Sequence, residues 1–272
     1  MKISAVIVSR NDNYGGNLIE RASYCFNSMI DTFDEVFYID WNSPTQSLLE
    51  EVKSNVKFKG NFKHIVIDPE HASLLTNHDP HAQKCCEVLG RNIGIRRSTG
   101  DWIVSTNIDI IAPKRSELEN TFNTIEHDAF YTISRRGIDL EKIQEYNKSA
   151  NLTEYVDWEK TREHLIATSE ERHYEEKTVQ GDDYSLVNCC GDFQAAPFKV
   201  WNDIRGMEEE LIYPLYADTN VQKKAVMHGF KLKALYTPAL FHINHGKGGG
   251  GFLTGVNRRA NDIQRAIVYQ EK

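Results

Sequence analysis

The sequence has no apolar run approaching the ~20 residues that a membrane-spanning helix requires. Its opening, Met1 to Arg10, is a short apolar stretch broken by Arg10 and Asp12, which is not a secretion signal. A soluble, cytoplasmic protein without a transmembrane segment is therefore expected. Seven prolines and 17 glycines are too few for a collagen-like or Pro/Gly-rich disordered chain. An excess of basic residues is also missing: 32 Lys and Arg stand against 39 Asp and Glu, for a net charge of −7, which argues against a nucleic-acid binder. The five cysteines, Cys25, Cys85, Cys86, Cys189 and Cys190, include no CxxC spacing. An odd count in two adjacent pairs fits neither a disulfide framework nor a zinc knuckle, so reduced, mostly buried thiols are expected. No GxGxxG follows the first apolar run and there is no Walker lysine, which argues against a Rossmann dinucleotide site and a P-loop. The sequence has no internal repeat, and its one low-complexity tract is Gly248–Gly251.

What is present is an ordinary globular composition, 40% hydrophobic and 26% charged over 272 residues, enough for one large core. The charge is uneven. Between Asp139 and Asp183 there are 6 Lys and Arg against 13 Asp and Glu, so this segment carries the whole imbalance. A solvated, partly helical insertion is the expectation there.

Ile3–Val8 reads as a buried strand that runs into the polar loop Ser9-Arg10-Asn11-Asp12-Asn13. Asn17 and Glu20 have capping-box spacing, and Leu18, Ala22, Cys25, Phe26, Met29, Ile30 and Phe33 form the apolar stripe of a helix. Val36–Ile39 is a second strand, ending at Asp40. Ser43-Pro44-Thr45-Gln46 supplies the cap of a second helix with Leu48, Leu49 and Val52 inside. His64–Ile67 is a third strand, Gln83–Arg97 a helix, and Trp102–Ser105 a fourth strand running into Asn107-Ile108-Asp109. This alternation implies a doubly wound, mainly parallel α/β sheet. Such sheets bind ligands beyond the carboxyl ends of their strands, and here those ends carry Ser9, Arg10, Asn11, Asp40, Asn107 and Asp109. Ala129–Ile133, Lys231–Tyr236 and Leu240–Ile243 read as further strands, and Val256, Ala260, Ile263 and Ile267 as an amphipathic C-terminal helix. His71, His78, Asp79, His81, Cys85 and Cys86 look metal-like, but their spacings match no common zinc pattern.

A carboxylate at Asp109, at the mouth of the sheet, can hold Mg²⁺ or Mn²⁺ against phosphate oxygens, or can simply cap the turn before Pro113. The run Gly90-Arg91-Asn92-Ile93-Gly94-Ile95-Arg96-Arg97-Ser98-Thr99-Gly100-Asp101-Trp102-Ile103-Val104 resembles the ARNxGIxxATGDYI stretch that precedes the DxD motif in family 2 glycosyltransferases of the GT-A fold. Ala5-Val6-Ile7-Val8-Ser9-Arg10-Asn11 is similar to that family's opening strand and TYN loop. Ile39-Asp40-Trp41-Asn42-Ser43 sits where the family has VDDGS, and Gly191-Asp192-Phe193 resembles its GNF. Tyr216-Ala217-Asp218-Thr219 stands where an ED pair carries the catalytic base. The match covers roughly residues 1–112 and 189–245.

The resemblance implies one GT-A-like domain over residues 1–272. Residues 1–112 would bind a nucleotide sugar, 113–188 would form the acidic insertion, and 189–272 the acceptor-side catalytic half with a glycine loop and a C-terminal helix. It also implies a hexosyltransferase that uses a nucleoside-diphosphate sugar, UDP-sugar favoured, with Mn²⁺ or Mg²⁺. The acceptor would be a glycan, a lipid-linked or a protein hydroxyl, the lipid-linked case placing the enzyme at a membrane surface. Asp40 would contact the nucleobase, Ser9, Arg10 and Asn11 would border the nucleotide, and Arg91 would lie near the base or diphosphate. Asn107 and Asp109 take the first and last places of DxD, with Asp109 on the metal. Asp218 would be the base of an inverting reaction, and His242 or His245 a further metal ligand. Lys247, beside the glycine tract, would reach the diphosphate as a loop closes. Two departures stand out: Asn107 replaces an aspartate and Ala217 replaces a glutamate. A retaining GT-A transferase and a nucleotide-binding module without turnover remain as alternatives. On strand geometry alone, His242 and Asn244 should share one face while His245 points to the other.

Overall fold

The structure is a computed structural model that describes residues 1–55, 62–79, 84–149, 158–171, 191–211 and 217–246. Its strands are β1 (Ile3–Ser9), β2 (Glu35–Trp41), β3 (Phe62–Ile67), β4 (Trp102–Thr106), β5 (Ile110–Ile111), β6 (Ala129–Asp139), β7 (Glu170–Glu171), β8 (Phe193–Pro197) and β9 (Lys231–Asn244). The helices are α1 (Leu18–Thr32), α2 (Leu48–Asn55), α3 (Pro69–Leu75), α4 (Glu87–Ile95), α5 (Arg115–Thr124), α6 (Leu140–Ser149), α7 (Trp158–Thr168), α8 (Phe198–Asp203) and α9 (Ala217–Met227). The sheet runs β3-β2-β1-β4-β8-β6-β9-β5, with β7 beside β6. Strands β3, β2, β1 and β4 are mutually parallel, as the βα alternation requires. The second half joins through the antiparallel pairs β4–β8 and β8–β6, and β9 lies parallel to β6.

Both faces of the sheet are covered, so the central strands are continuous apolar runs. On one face Ile3, Ala5 and Ile7 pack with Ala22, Cys25 and Phe26 of α1 and Phe122 of α5. On the other, Val6, Val8 and Ile39 pack with Ile95 of α4, Trp201 of α8 and Val221 of α9. Helix α4 sits against β1 because two of its residues have no side chain. A Cβ on Gly90 would come within 2.7 Å of Val8, and one on Gly94 within 2.4 Å of Val6. A third cluster, including Ile138, Ile143, Leu165 and Phe241, holds α6 and α7 against β6 and β9. The described part of the acidic segment is thus mostly helical, with β7 the short strand that pairs with β6.

Several boundaries differ from expectation for local reasons. Asn17 precedes α1 but has left-handed backbone (φ 50°) and makes no capping bond, because a capping side chain reaches back only from extended backbone. Asn13 Oδ1 accepts from Leu18 N instead, at 3.2 Å. Helix α2 begins at Leu48 rather than at Pro44. Ser43 is committed elsewhere: its hydroxyl donates to Asp40 and accepts from the Asn11 amide at 2.8 Å. Helix α3, capped by Asp68, which accepts from His71 N at 2.9 Å, was not expected. The segments Lys231–Tyr236 and Leu240–Ile243 are one strand, with a register irregularity opposite Ile133 and Arg135. Lys247, the glycine tract, Cys189, Cys190 and the proposed C-terminal helix lie outside the described residues.

Glu35 at the start of β2 is a buried carboxylate. Lys63 Nζ reaches it at 2.7 Å, the Thr99 amide donates at 2.6 Å, and Ser4 donates its hydroxyl. Burial opposes its ionisation, but these partners win and hold the carboxyl at about 2, against 4.5 for an ordinary glutamate. Lys2, 3.4 Å away, and Lys63 both pair with it and are about half exposed, so part of the Coulomb gain is screened. Glu35→Gln is expected to cost about 2 kcal/mol at pH 7. The folded pKa is the lower one, so the contribution is present above the unfolded value and fades as pH falls from about 4.5 toward 2. Urea midpoints of the two proteins should therefore converge between pH 7 and pH 3, and a constant gap would contradict this assignment.

Candidate active site

Beyond the carboxyl end of β4, three of the expected residues converge. His245 Nε2 lies 3.0 Å from Asp109 Oδ2 and His242 Nε2 lies 3.7 Å from the same atom. One potential ligand atom from each residue falls within 4.8 Å of the others. Strand pairing builds this arrangement. Ile110 of β5 registers with His242 of β9, and Ile243 N donates to the Asp109 carbonyl at 2.9 Å. The expectation that His245 would face away from His242 is corrected. Strand β9 ends at Asn244, so alternation stops there, and the His245 ring turns in beside that of His242, with centroids 5.2 Å apart. Asn244 instead donates to Asp139 at 2.8 Å.

Burial disfavours ionisation of Asp109, yet the His245 hydrogen bond and the charges of His242, His245 and Arg21 outweigh it and hold its carboxyl below the usual range. His242 is pushed down by burial, whereas the bond to Asp109 lifts His245. Asp109 Oδ1 is buried and makes no hydrogen bond, while Oδ2 takes all three cationic or imidazole neighbours. An unpaired buried carboxylate oxygen is costly, and two imidazoles with one carboxylate are an N/O set suited to a divalent transition metal such as Mn²⁺. On that observation the residues fit a metal.

Arg21 ties the site together and was not singled out from the sequence. It is 1% exposed; Nη1 reaches Asp109 at 3.2 Å, Nε donates to the Gly16 carbonyl at 3.1 Å, and Nη2 donates to the Tyr14 carbonyl. A signal existed, because Arg21 falls between Leu18 and Cys25 on the buried stripe of α1, where a charged residue demands a partner. The loop it holds packs against His245. The Tyr14 ring meets the imidazole edge-on at 5.2 Å, and Gly246 N donates to the Gly15 carbonyl at 3.2 Å.

Gly15 has φ +71°, and a Cβ there would sit 2.5 Å from His245 Nδ1. Gly16 has φ +79° but nothing within 4 Å of its Cβ position. Both alanine variants pay the left-handed penalty of about 1 kcal/mol. Gly15→Ala alone should also displace His245, and it is expected to weaken Mn²⁺ binding about 10-fold relative to Gly16→Ala. Equal Mn²⁺ affinities by titration calorimetry would count against the role given to this contact.

An open cleft is lined by Arg91, Asn107, Asp192, Gln194 and Asp218 among others. Asp218, in the first turn of α9, accepts from Gly191 N at 2.9 Å and from Thr219 N at 2.8 Å. Burial raises its carboxyl above the ordinary range, partly offset by those two bonds. Gly191 permits the approach, since a Cβ there would lie 2.4 Å from that of Asp218. Arg91, buried on α4, donates to Ser105 Oγ at 2.6 Å and to Asn107 Oδ1. It therefore belongs with Asp218 and Asn107. The charge of Asp192 acts on both Asp218 and His242, so this residue, given no role from the sequence, stands electrostatically between cleft and metal-type cluster.

The remaining candidates line the ends of β1 and β2. Ser9 and Asp40 are register partners, and Ser9 Oγ is 2.9 Å from the Tyr38 hydroxyl. Asn11 Nδ2 donates to Glu51 at 2.6 Å and to the Gln46 carbonyl at 3.0 Å, and Arg10 donates to the Lys84 carbonyl at 2.8 Å. Among the described residues no helix is long and apolar enough to cross a membrane.

No protein-family model matches the chain, and no curated protein matches it. Solved structures do. TarS residues 1–349 from S. aureus, in complex with UDP, is 14% identical and aligns over 90% of this chain and 61% of its own, with a TM-score of 0.56. The same protein with UDP-GlcNAc gives 15% identity, 90% and 59% coverage and a TM-score of 0.55. Mannosyltransferase PcManGT from Pyrobaculum calidifontis, in complex with GDP-Man and Mn²⁺, is 12% identical and aligns over 97% and 61% with a TM-score of 0.53. The chain thus spans about three fifths of the length of these proteins. Its fold is the GT-A-type fold that they share.

Proposed function

We propose that this GT-A-fold chain is a metal-dependent glycosyltransferase. It moves a hexosyl group from a nucleoside-diphosphate sugar, with UDP as the favoured carrier, to the hydroxyl of a glycan, lipid-linked or protein acceptor. The observation that carries this reading is the Asp109–His242–His245 cluster with its unpaired buried carboxylate oxygen, beside a cleft that contains a buried carboxylate. The neighbours in fold were solved with UDP, UDP-GlcNAc, or GDP-Man and Mn²⁺, which supports the donor class.

In this reading Asp109, His242 and His245 hold Mn²⁺ or Mg²⁺, and the imidazoles favour Mn²⁺. The ion, when bound, neutralises charge on the departing nucleoside diphosphate. Ser9, Arg10, Asn11 and Asp40 border the nucleotide, with Asp40 toward the base. Arg91 and Asn107 lie on the diphosphate side of the cleft, and Lys247 adds a cation there. Asp218 takes the proton of the acceptor hydroxyl as that oxygen attacks the anomeric carbon, which gives inversion. Its raised carboxyl is a better proton acceptor than an exposed aspartate. A second reading, nucleotide binding without turnover, draws on Ala217 in place of a glutamate and on the two backbone amides that already occupy Asp218.

The test is thermal-shift binding with UDP, GDP, dTDP and CMP, each with and without Mn²⁺, on wild type and Asp109→Ala. Metal-dependent stabilisation by one nucleotide, lost in the variant, is the expected result. No shift with any of the four would overturn the reading. Donor hydrolysis or transfer then separates the enzyme from the module that only binds, and the product anomer by NMR separates inversion from retention.

A further inference from the structure

Two positions of the cleft carry each other's expected residue. Asn107 stands where the motif it resembles has an aspartate, and Asp192 stands where the corresponding motif has an asparagine. In the fold they touch: Asn107 Nδ2 donates to Asp192 Oδ1 at 2.7 Å. The contact belongs to a longer chain of charges. Asp192 Oδ2 pairs with Arg135 of β6, and Asn107 Oδ1 accepts from Arg91 Nη2, which also reaches Glu87 at 3.3 Å. The Asp192 carbonyl in turn accepts from Thr106 Oγ1 at 2.7 Å, which fixes the start of β8 to the end of β4.

The chemistry at position 107 is restrictive. Its side chain must accept from a guanidinium with one terminal atom and donate to a carboxylate with the other. An amide of this length does both, and an ionised aspartate does only the first. Aspartate at 107 would set a half-buried carboxylate at hydrogen-bonding distance from the buried Asp192 carboxylate with no proton between them. Asparagine at 192 would leave Arg135 without this partner and face one amide with another. The residues at positions 107 and 192 are therefore coupled.

We propose that residues 107 and 192 are a reciprocally exchanged pair, in which the carboxylate of the cleft has moved from the end of β4 to the start of β8. Asp192 is then the positioning residue that orients the Asn107 amide, and through it Arg91, for the donor. This rests on the glycosyltransferase reading for what the donor is. It does not rest on that reading for the coupling itself.

The experiment is a double-mutant cycle on the full chain with Asn107→Asp, Asp192→Asn and the double exchange. Each protein is read by its melting temperature without ligand and by its affinity for UDP in the presence of Mn²⁺, with GDP substituted if wild type prefers it. Asn107→Asp should lower the melting temperature and weaken nucleotide binding at least about 10-fold, with Asp192→Asn weaker in both effects. The double exchange should return both readouts to within about threefold of wild-type affinity and close to its melting temperature. Additive damage in the double variant would overturn the exchange. Recovery of stability without recovery of affinity would overturn the positioning role and leave a purely structural pair. Failure of wild type to bind any nucleotide would overturn the glycosyltransferase reading and the positioning role with it. The melting-temperature cycle would still decide the coupling.

Discussion

Asp218→Asn is expected to lower kcat by about a thousandfold while leaving KM for the donor nearly unchanged. The side chain keeps its size, but its single amide oxygen can accept from only one of the Gly191 and Thr219 amides, which bond different oxygens of Asp218, so the melting temperature is read beside kcat to separate loss of the proton acceptor from loss of that contact. The pH profile supplies the sign. A general base works when deprotonated, so activity falls as pH drops through its pKa, and burial has lifted that pKa above the 3.8 of an ordinary aspartate. The acidic limb of kcat/KM should therefore lie above the usual carboxylate range in wild type. A loss of less than about tenfold would remove Asp218 from the role of base and favour the retaining alternative.

Asp109→Ala should have the second large effect, and on two separate quantities. Mn²⁺ affinity should fall by at least about 100-fold, because the variant loses the one carboxylate of the cluster and keeps only imidazoles. The metal-free protein should also lose stability. Arg21, 1% exposed, reaches Asp109 through Nη1 and has only backbone carbonyls for its other contacts, so the variant buries a guanidinium without a counter-charge. The expected cost is about 3 kcal/mol. Calorimetric titration of Mn²⁺ and chemical denaturation without metal measure the two effects. A variant as stable as wild type would mean that Arg21 does not depend on Asp109.

The parallel half of the fold was readable because its signals are local: apolar runs of strand length, stripes at helical spacing, and polar residues at strand ends. The boundaries that moved were decided by partners distant in sequence. Ser43 looks like a helix cap until the Asp40 carboxylate and the Asn11 amide are beside it. The meeting of His242 and Asp109 was legible in outline from the resemblance. The turn that brings His245 to the same side was not, because strand alternation predicts the opposite and only the end of β9 at Asn244 breaks it. Arg21 was passed over for a related reason. Its position on an apolar stripe was visible, but the carboxylate that makes its burial tolerable comes from a residue 88 positions later in the chain. The Asn107–Asp192 contact could not be read from either motif alone, since the two residues meet only once β4 and β8 are neighbours.

Strand β9 supplies His242 within its length and His245 just after it, and it is held between β6 and β5 rather than against its neighbours in sequence. Asp109 is synthesised long before them. Pairing over such separations carries a loop-closure cost and is slow compared with the local βα units of the first half. A nascent chain therefore has the parallel strands of its first half before Asp109 can meet either histidine, and the cluster comes into being only when the last described strand zips into the sheet. On the proposed function, metal uptake during refolding should follow that late step, which would make the ion a chemical clock for completion of the fold.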